Sequence, residues 1–78
     1  MQLKLTWRIL EQNRDLNILV SDEQKLYETM QVLVGKGIIS QDKLNTTKYV
    51  KALRTNTQVN LLLTYKEGKI YAGDILQI

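Results

Sequence analysis

The chain has 78 residues and a mass of 9.1 kDa, room for one hydrophobic core and so for a single domain over residues 1–78, which excludes a multi-domain enzyme. Apolar residues make up 44% and charged residues 24%, with a mean hydropathy of −0.25, a balance outside the low-hydrophobicity, high-charge regime of disordered chains. Eleven Lys and Arg against eight Asp and Glu give a net charge of +3, too mild to name a partner, and the absence of His and Cys removes the imidazole base, the thiolate nucleophile, the disulfide and the usual zinc ligands.

No catalytic or metal-ligating residue, no cofactor and no small-molecule substrate is therefore expected. No run reaches the roughly 18 apolar residues of a membrane span. The start, Met1-Gln2-Leu3-Lys4-Leu5, lacks the basic head and unbroken apolar core of a signal peptide. A cytoplasmic location without direct membrane insertion is the expectation.

From Gln2 to Ile9 the apolar Leu3, Leu5, Trp7 and Ile9 alternate with Gln2, Lys4, Thr6 and Arg8, the period of a half-buried strand with Trp7 in the core. Past the polar stretch Glu11-Gln12-Asn13-Arg14-Asp15, Leu16, Ile18 and Val20 alternate with Asn17 and Leu19, which predicts an antiparallel partner across a short loop. Ser21 and Gln24 stand at capping-box spacing, and Asp22 and Glu23 bring negative charge where a helix dipole favours it, so a helix is predicted from about Asp22. Leu26, Tyr27, Met30, Leu33 and Val34 form its apolar stripe, Gln31 lies opposite, and Gly35 and Gly37 end it. Gly35-Lys36-Gly37 is accordingly a helix cap, because a phosphate loop needs a strand before its glycines and a helix after them. Asp22, Glu23 and Glu28 lack calcium-loop spacing and read as charges that compensate the dipole.

Residues 38–48 are a polar connector anchored by Ile38, Ile39 and Leu44, with a short turn of helix around Ser40-Gln41-Asp42-Lys43. A third strand is predicted over residues 49–54, followed by a turn at Thr55-Asn56-Thr57. Two readings of the remainder stand at this point. One is a plain hairpin of strands 59–65 and 70–78 about a turn at 66–69. The other is a very short strand near residues 58–60, an irregular excursion through 61–71 and a final strand over 74–78. In both, the order strand, strand, helix, strand and then one or two strands gives an α+β fold, a mixed four- to five-stranded sheet with one helix packed across one face. That is the β-grasp plan of ubiquitin-like domains.

The ending Ile70-Tyr71-Ala72-Gly73-Asp74-Ile75-Leu76-Gln77-Ile78 joins an apolar residue, a Gly-Asp turn and an alternating last strand. Together with the total length, the N-terminal hairpin and the strand beginning near Val50, it resembles the small YukD/EsaB-type ubiquitin-like proteins of bacterial type VII (WXG100) secretion systems. The resemblance covers nearly the whole chain, and residues 70–78 are its most specific stretch. It implies the excursion reading, since that family has a loop-rich connection before its last strand. It also implies a non-conjugated accessory or regulatory component that binds a protein of the secretion machinery, with recruitment to a membrane-bound complex left open. Conjugation uses a flexible C-terminal Gly-Gly, whereas this sequence reads Leu76-Gln77-Ile78, residues expected inside a strand. A homodimer stays open.

Parity then defines a docking face. Burying Leu3, Leu5 and Trp7 under the helix turns Lys4, Thr6 and Arg8 outward, and strand three offers that side either Tyr49, Lys51 and Leu53 or Val50, Ala52 and Arg54. The smaller, wholly apolar Val50 and Ala52 suit the space under a helix. The expected partner-binding set is therefore Lys4, Arg8, Tyr49, Lys51 and Leu53, with strand three close to strand one and Arg54 escaping at the strand end. The alternative function is a small basic nucleic-acid- or ribosome-associated β-grasp domain. The scatter of Tyr27, Tyr49, Tyr65 and Tyr71 and the lack of an RNA-binding motif disfavour it.

Overall fold

The computed structural model describes all residues, 1–78. β1 (Gln2–Ile9) and β2 (Arg14–Ser21) form an antiparallel hairpin in unbroken register, from Gln2 opposite Ser21 to Ile9 opposite Arg14. A 3-10 turn at Leu10–Gln12 joins them, closed by Asn13 at φ 48°, a left-handed conformation that Asn adopts more readily than most residues. α1 (Leu26–Gly35), α2 (Gln41–Thr46), β3 (Tyr49–Ala52), β4 (Thr57–Asn60) and β5 (Ile75–Gln77) follow. The sheet order is β2-β1-β5-β3-β4, with β5 parallel to β1 and antiparallel to β3. This is the mixed β-grasp sheet expected from the element order. The C-terminal third takes the excursion form and not the plain hairpin; β3 and β5 are shorter than expected, β3 stopping at Ala52 and β5 spanning only Ile75–Gln77, while β4 begins one residue early at Thr57.

One face of the sheet carries the core. Leu3, Leu5, Trp7 and Ile9 of β1 cluster with Leu26, Met30 and Leu33 of α1 and with Val50, Ala52 and Leu76 from the other half of the sheet. Burying each larger apolar side chain of such a cluster contributes about 1.5–3 kcal/mol.

α1 begins at Leu26, later than the expected start near Asp22. Half of the Ser21–Gln24 box forms: the Ser21 N–H donates to Gln24 Oε1 at 2.8 Å, while Ser21 Oγ accepts from the Glu23 N–H at 3.3 Å and not from that of Gln24. It closes only a turn of its own, because Lys25 is extended and bridges to Thr64. The first helical N–H groups, those of Leu26 and Tyr27, donate to the carbonyls of Leu63 and Leu61 at 3.0 and 2.9 Å. A segment distant in sequence thus satisfies the donors that every helix start leaves unpaired. At the other end Gly37 sits at φ 71°, with its N–H on the Val34 carbonyl and the Ile38 N–H on the Leu33 carbonyl, the paired bonds of a Schellman ending.

The excursion from Leu61 onward inserts Leu61, Tyr65 and Ile70 into the core. The Tyr65 hydroxyl accepts from Trp7 Nε1 at 3.2 Å and shares a hydrogen bond with Thr29 Oγ1. Burial raises the Tyr65 pKa, against the opposing pull of those two hydrogen bonds. Thr64 and Glu67 cap each other, the Thr64 N–H donating to Glu67 Oε1 at 2.9 Å and the Glu67 N–H to Thr64 Oγ1 at 3.0 Å.

Candidate protein-docking face

The side of the sheet away from α1 is ordered in rows by the register. Asp15, Arg8, Gln77, Lys51 and Gln58 lie across one row, from β2 to β4. The next holds Asn17, Thr6, Ile75 and then Leu53, whose N–H donates to the Ile75 carbonyl at 3.0 Å just past the end of β3. Lys4 and Leu19 face each other in the row after that, and Tyr49 lies two residues along β3 from Lys51.

Val50 and Ala52 are buried, and Tyr49 and Lys51 point to the outer side. Leu53 and Ile75 are half-buried, yet neither packs against the core cluster, so both belong to the outer surface. β3 does not adjoin β1, however, because β5 lies between them. That inserts a second strand spacing, about 10 Å in all, between Lys51 or Leu53 and the side chains of β1. It also puts Ile75 and Gln77, absent from the expected set, at the middle of the face. Their alternation with the buried Leu76 was the available signal, but pairing between chain ends is not readable from either end alone.

The charges sort themselves unequally. Arg8 is paired with Asp15 across the hairpin, Nε to Oδ1 at 2.9 Å and Nη2 to Oδ2 at 3.2 Å. The hydrogen bond from Arg8 holds the Asp15 carboxyl below its ordinary value. Lys4 and Lys51 are exposed and make no ion pair, so they supply the free positive charge of the face.

Arg54 leaves the buried side past the end of β3, as expected, and is tethered there by an ion pair. Its Nε donates to Asp74 Oδ1 at 2.7 Å and its Nη2 to Oδ2 at 3.2 Å, while Nη2 also reaches the Lys69 carbonyl at 3.2 Å. The guanidinium stands 5.1 Å from the centroid of the Tyr71 ring. Asp74, only 4% exposed, further accepts from the Tyr71 N–H at 2.9 Å. Burial pushes this carboxyl up, but the hydrogen bonds from Arg54 and Tyr71 and the Arg54 charge outweigh it and leave it below its ordinary value. Gly73, at φ 86°, donates its N–H to the Lys4 carbonyl at 2.8 Å, so the clamp ties the approach to β5 to both neighbouring strands. Its role is to fix β5, and with it Ile75, in the centre of the face.

No helix is long and apolar enough to cross a membrane. Among solved structures, a de novo designed protein based on ubiquitin is similar to this chain with a TM-score of 0.72 at 19% identity, over 97% of this chain and 84% of that one. The C-terminal ubiquitin-like domain of mouse tubulin-specific chaperone e is similar with a TM-score of 0.71 at 13% identity, over 99% of this chain and 84% of that one. No protein-family description and no curated protein matches the sequence. The fold is ubiquitin-like β-grasp.

Proposed function

We propose that this chain is a non-conjugated ubiquitin-like binding module that docks a protein on the outer face of its sheet and serves as an accessory or regulatory component of a type VII secretion system. The observation that carries the binding reading is the row Thr6, Ile75 and Leu53. It places two apolar side chains outside the core in mid-sheet, with the free cations Lys4 and Lys51 to either side. An apolar centre gives affinity through desolvation, and flanking cations tune association rate and orientation. The secretion reading is supported by the resemblance of residues 70–78, and of the whole element order, to the YukD/EsaB-type proteins. The backbone of Ile78 continues the pairing along β1, its N–H donating to the Arg8 carbonyl at 2.9 Å and its carbonyl accepting from the Leu10 N–H at 3.0 Å.

Calorimetric titration of the purified chain with the FtsK-type ATPase and the WXG100 proteins of the same secretion system tests the proposal. Binding is expected to one of them, weakened by about 1–2 kcal/mol in Leu53→Ala. Lys4→Ala is expected to change mainly its salt dependence. Both variants keep the wild-type circular dichroism. Failure to bind any component, combined with retention on nucleic acid that falls steeply with salt, would overturn the secretion reading in favour of the nucleic-acid alternative.

A further inference from the structure

The two edges of the sheet are unlike. β4 has four residues and runs directly into the excursion, whereas β2 has eight and ends the sheet on the other side. The Asp22 N–H donates to the Met1 carbonyl at 2.9 Å. Antiparallel alternation from that bond directs the backbone groups of Val20, Ile18 and Leu16 to β1 and leaves those of Asp15, Asn17 and Leu19 at the open edge. Natural edges are commonly blunted by Pro, a bulge, an edge Lys or a covering loop. β2 has no Pro and no Lys, and its register with β1 is continuous. Beside it a groove of about 430 Å³ opens between β2 and α1, lined by Leu16, Ile18, Val32, Leu33 and Ile38 with Lys36.

We infer that this edge pairs with the β2 edge of a second copy of the chain, in antiparallel register about Asn17, to make one ten-stranded sheet. The two-fold axis can pass through any residue from Asp15 to Leu19, but centring on Leu16 or Ile18 engages only two of the three open residues, because the backbone groups of Ser21 are already bonded to Gln24 and the Asn13 N–H to Leu10. Centring on Asp15 opposes two carboxylates. Centring on Leu19 leaves Arg14, Asp15 and Leu16 without a strand partner and sets Asp15 against the partner's Glu23. Centring on Asn17 opposes no like charges. It pairs Asp15 with the partner's Leu19, Leu16 with the partner's Ile18 and Arg14 with the partner's Val20, and it uses nearly the whole strand. Asn17 then meets Asn17 of the partner. Its Oδ1 already accepts from Thr6 Oγ1 at 2.9 Å, which leaves its amide N–H groups free to donate across the axis. An axis normal to the sheet keeps both helices on one side, so Leu16 and Ile18 of each copy, which line its own groove, meet those of the other across the seam and join the two grooves. The outer faces of both copies remain open and continuous, which gives the docking face two equivalent halves. The pairing does not rest on the secretion reading.

Sedimentation equilibrium over a concentration series tests it, read beside amide hydrogen exchange. The wild type is expected at twice 9.1 kDa, with slowed exchange at the Asp15, Asn17 and Leu19 amides that is lost on dilution. Asn17→Lys sets two cations face to face and should weaken the dimer about tenfold or more. Leu19→Lys places its cation opposite the partner's Asp15 and should leave the dimer intact. A wild-type chain that stays at 9.1 kDa, or a dimer whose three edge amides exchange freely, overturns the inference without reference to any variant. So does a monomer that protects those amides only on adding an extended peptide, which would make the edge a peptide site.

Discussion

In the β1–β2 hairpin every residue from Gln2 to Ile9 faces a partner along one continuous ladder, whereas residues 61–74 form no strand and hold their place through individual contacts. Those contacts are the Tyr65 hydroxyl between Trp7 and Thr29, the reciprocal Thr64–Glu67 cap, the carbonyls offered to α1 and the Asp74 clamp. A ladder spreads its stabilisation over many equivalent bonds, so a change at one exposed position costs little. The excursion concentrates its stabilisation in a few side chains, so the sensitivity to mutation should be uneven there.

The largest expected effect is at Tyr65. Tyr65→Ala empties the site between Trp7 and Thr29 and should cost about 3–5 kcal/mol in denaturant unfolding. Tyr65→Phe keeps the ring and leaves the Trp7 N–H without its acceptor, for a loss of about 1–3 kcal/mol. On the regular side of the comparison, Met30→Ala in the α1 stripe should cost about 2–5 kcal/mol, and Gln31→Ala on the exposed side nothing measurable. Comparable small losses for Tyr65→Ala and Gln31→Ala would erase the distinction between the two regions.

Asp74→Ala comes next, with an expected loss of about 1.5–3 kcal/mol from its hydrogen bonds to a charged group. The clamp also predicts a pH dependence. The folded Asp74 carboxyl lies below its ordinary value, so the unfolded chain binds the proton more readily. Its contribution is complete above about pH 4, the ordinary Asp value, and is lost as the pH falls through the lower folded value. Asp15 and Glu67 shift in the same direction, the latter through the Thr64 N–H. Thermal melts should therefore fall in temperature below about pH 4, less steeply for Asp74→Ala than for the wild type.

Two glycines give the smallest and sharpest contrast. A Cβ at Gly68 would lie 2.7 Å from the Cγ1 of the buried Val59, so Gly68→Ala in the excursion should cost about 1–3 kcal/mol. At Gly35, the last residue of α1, nothing lies within 4 Å, and Gly35→Ala should stabilise by about 0.5–1 kcal/mol. Opposite signs in thermal melts are the expected result.

The same contrast explains what the sequence made legible. Alternation over Gln2 to Ile9, the helix stripe and the Gly37 ending are periodic or local signals, and they sufficed for the element order and for the parity of Val50 and Ala52. The start of α1 was misplaced because the bonds between Ser21 and Gln24 close a separate turn, and the helix takes its first acceptors from Leu61 and Leu63. That Ile75 and Gln77 occupy the middle of the outer sheet face was not legible for a related reason. Insertion of β5 between β1 and β3 pairs Thr6 with Ile75 and Ala52 with Leu76, contacts that no local pattern reveals. The Gly73-Asp74 turn was visible, but its use as an anchor for Arg54 depends on the same insertion.

The measurement that bears most directly on the proposed docking face is a map of backbone amide shifts of the labelled chain on adding, in turn, the purified FtsK-type ATPase and WXG100 proteins of the proposed secretion system. Shifts concentrated at Thr6, Lys51, Leu53, Ile75 and Gln77, and requiring roughly tenfold more partner in Leu53→Ala, are the predicted result. Shifts confined to α1 and the excursion, with β5 and β3 unmoved, would contradict the account.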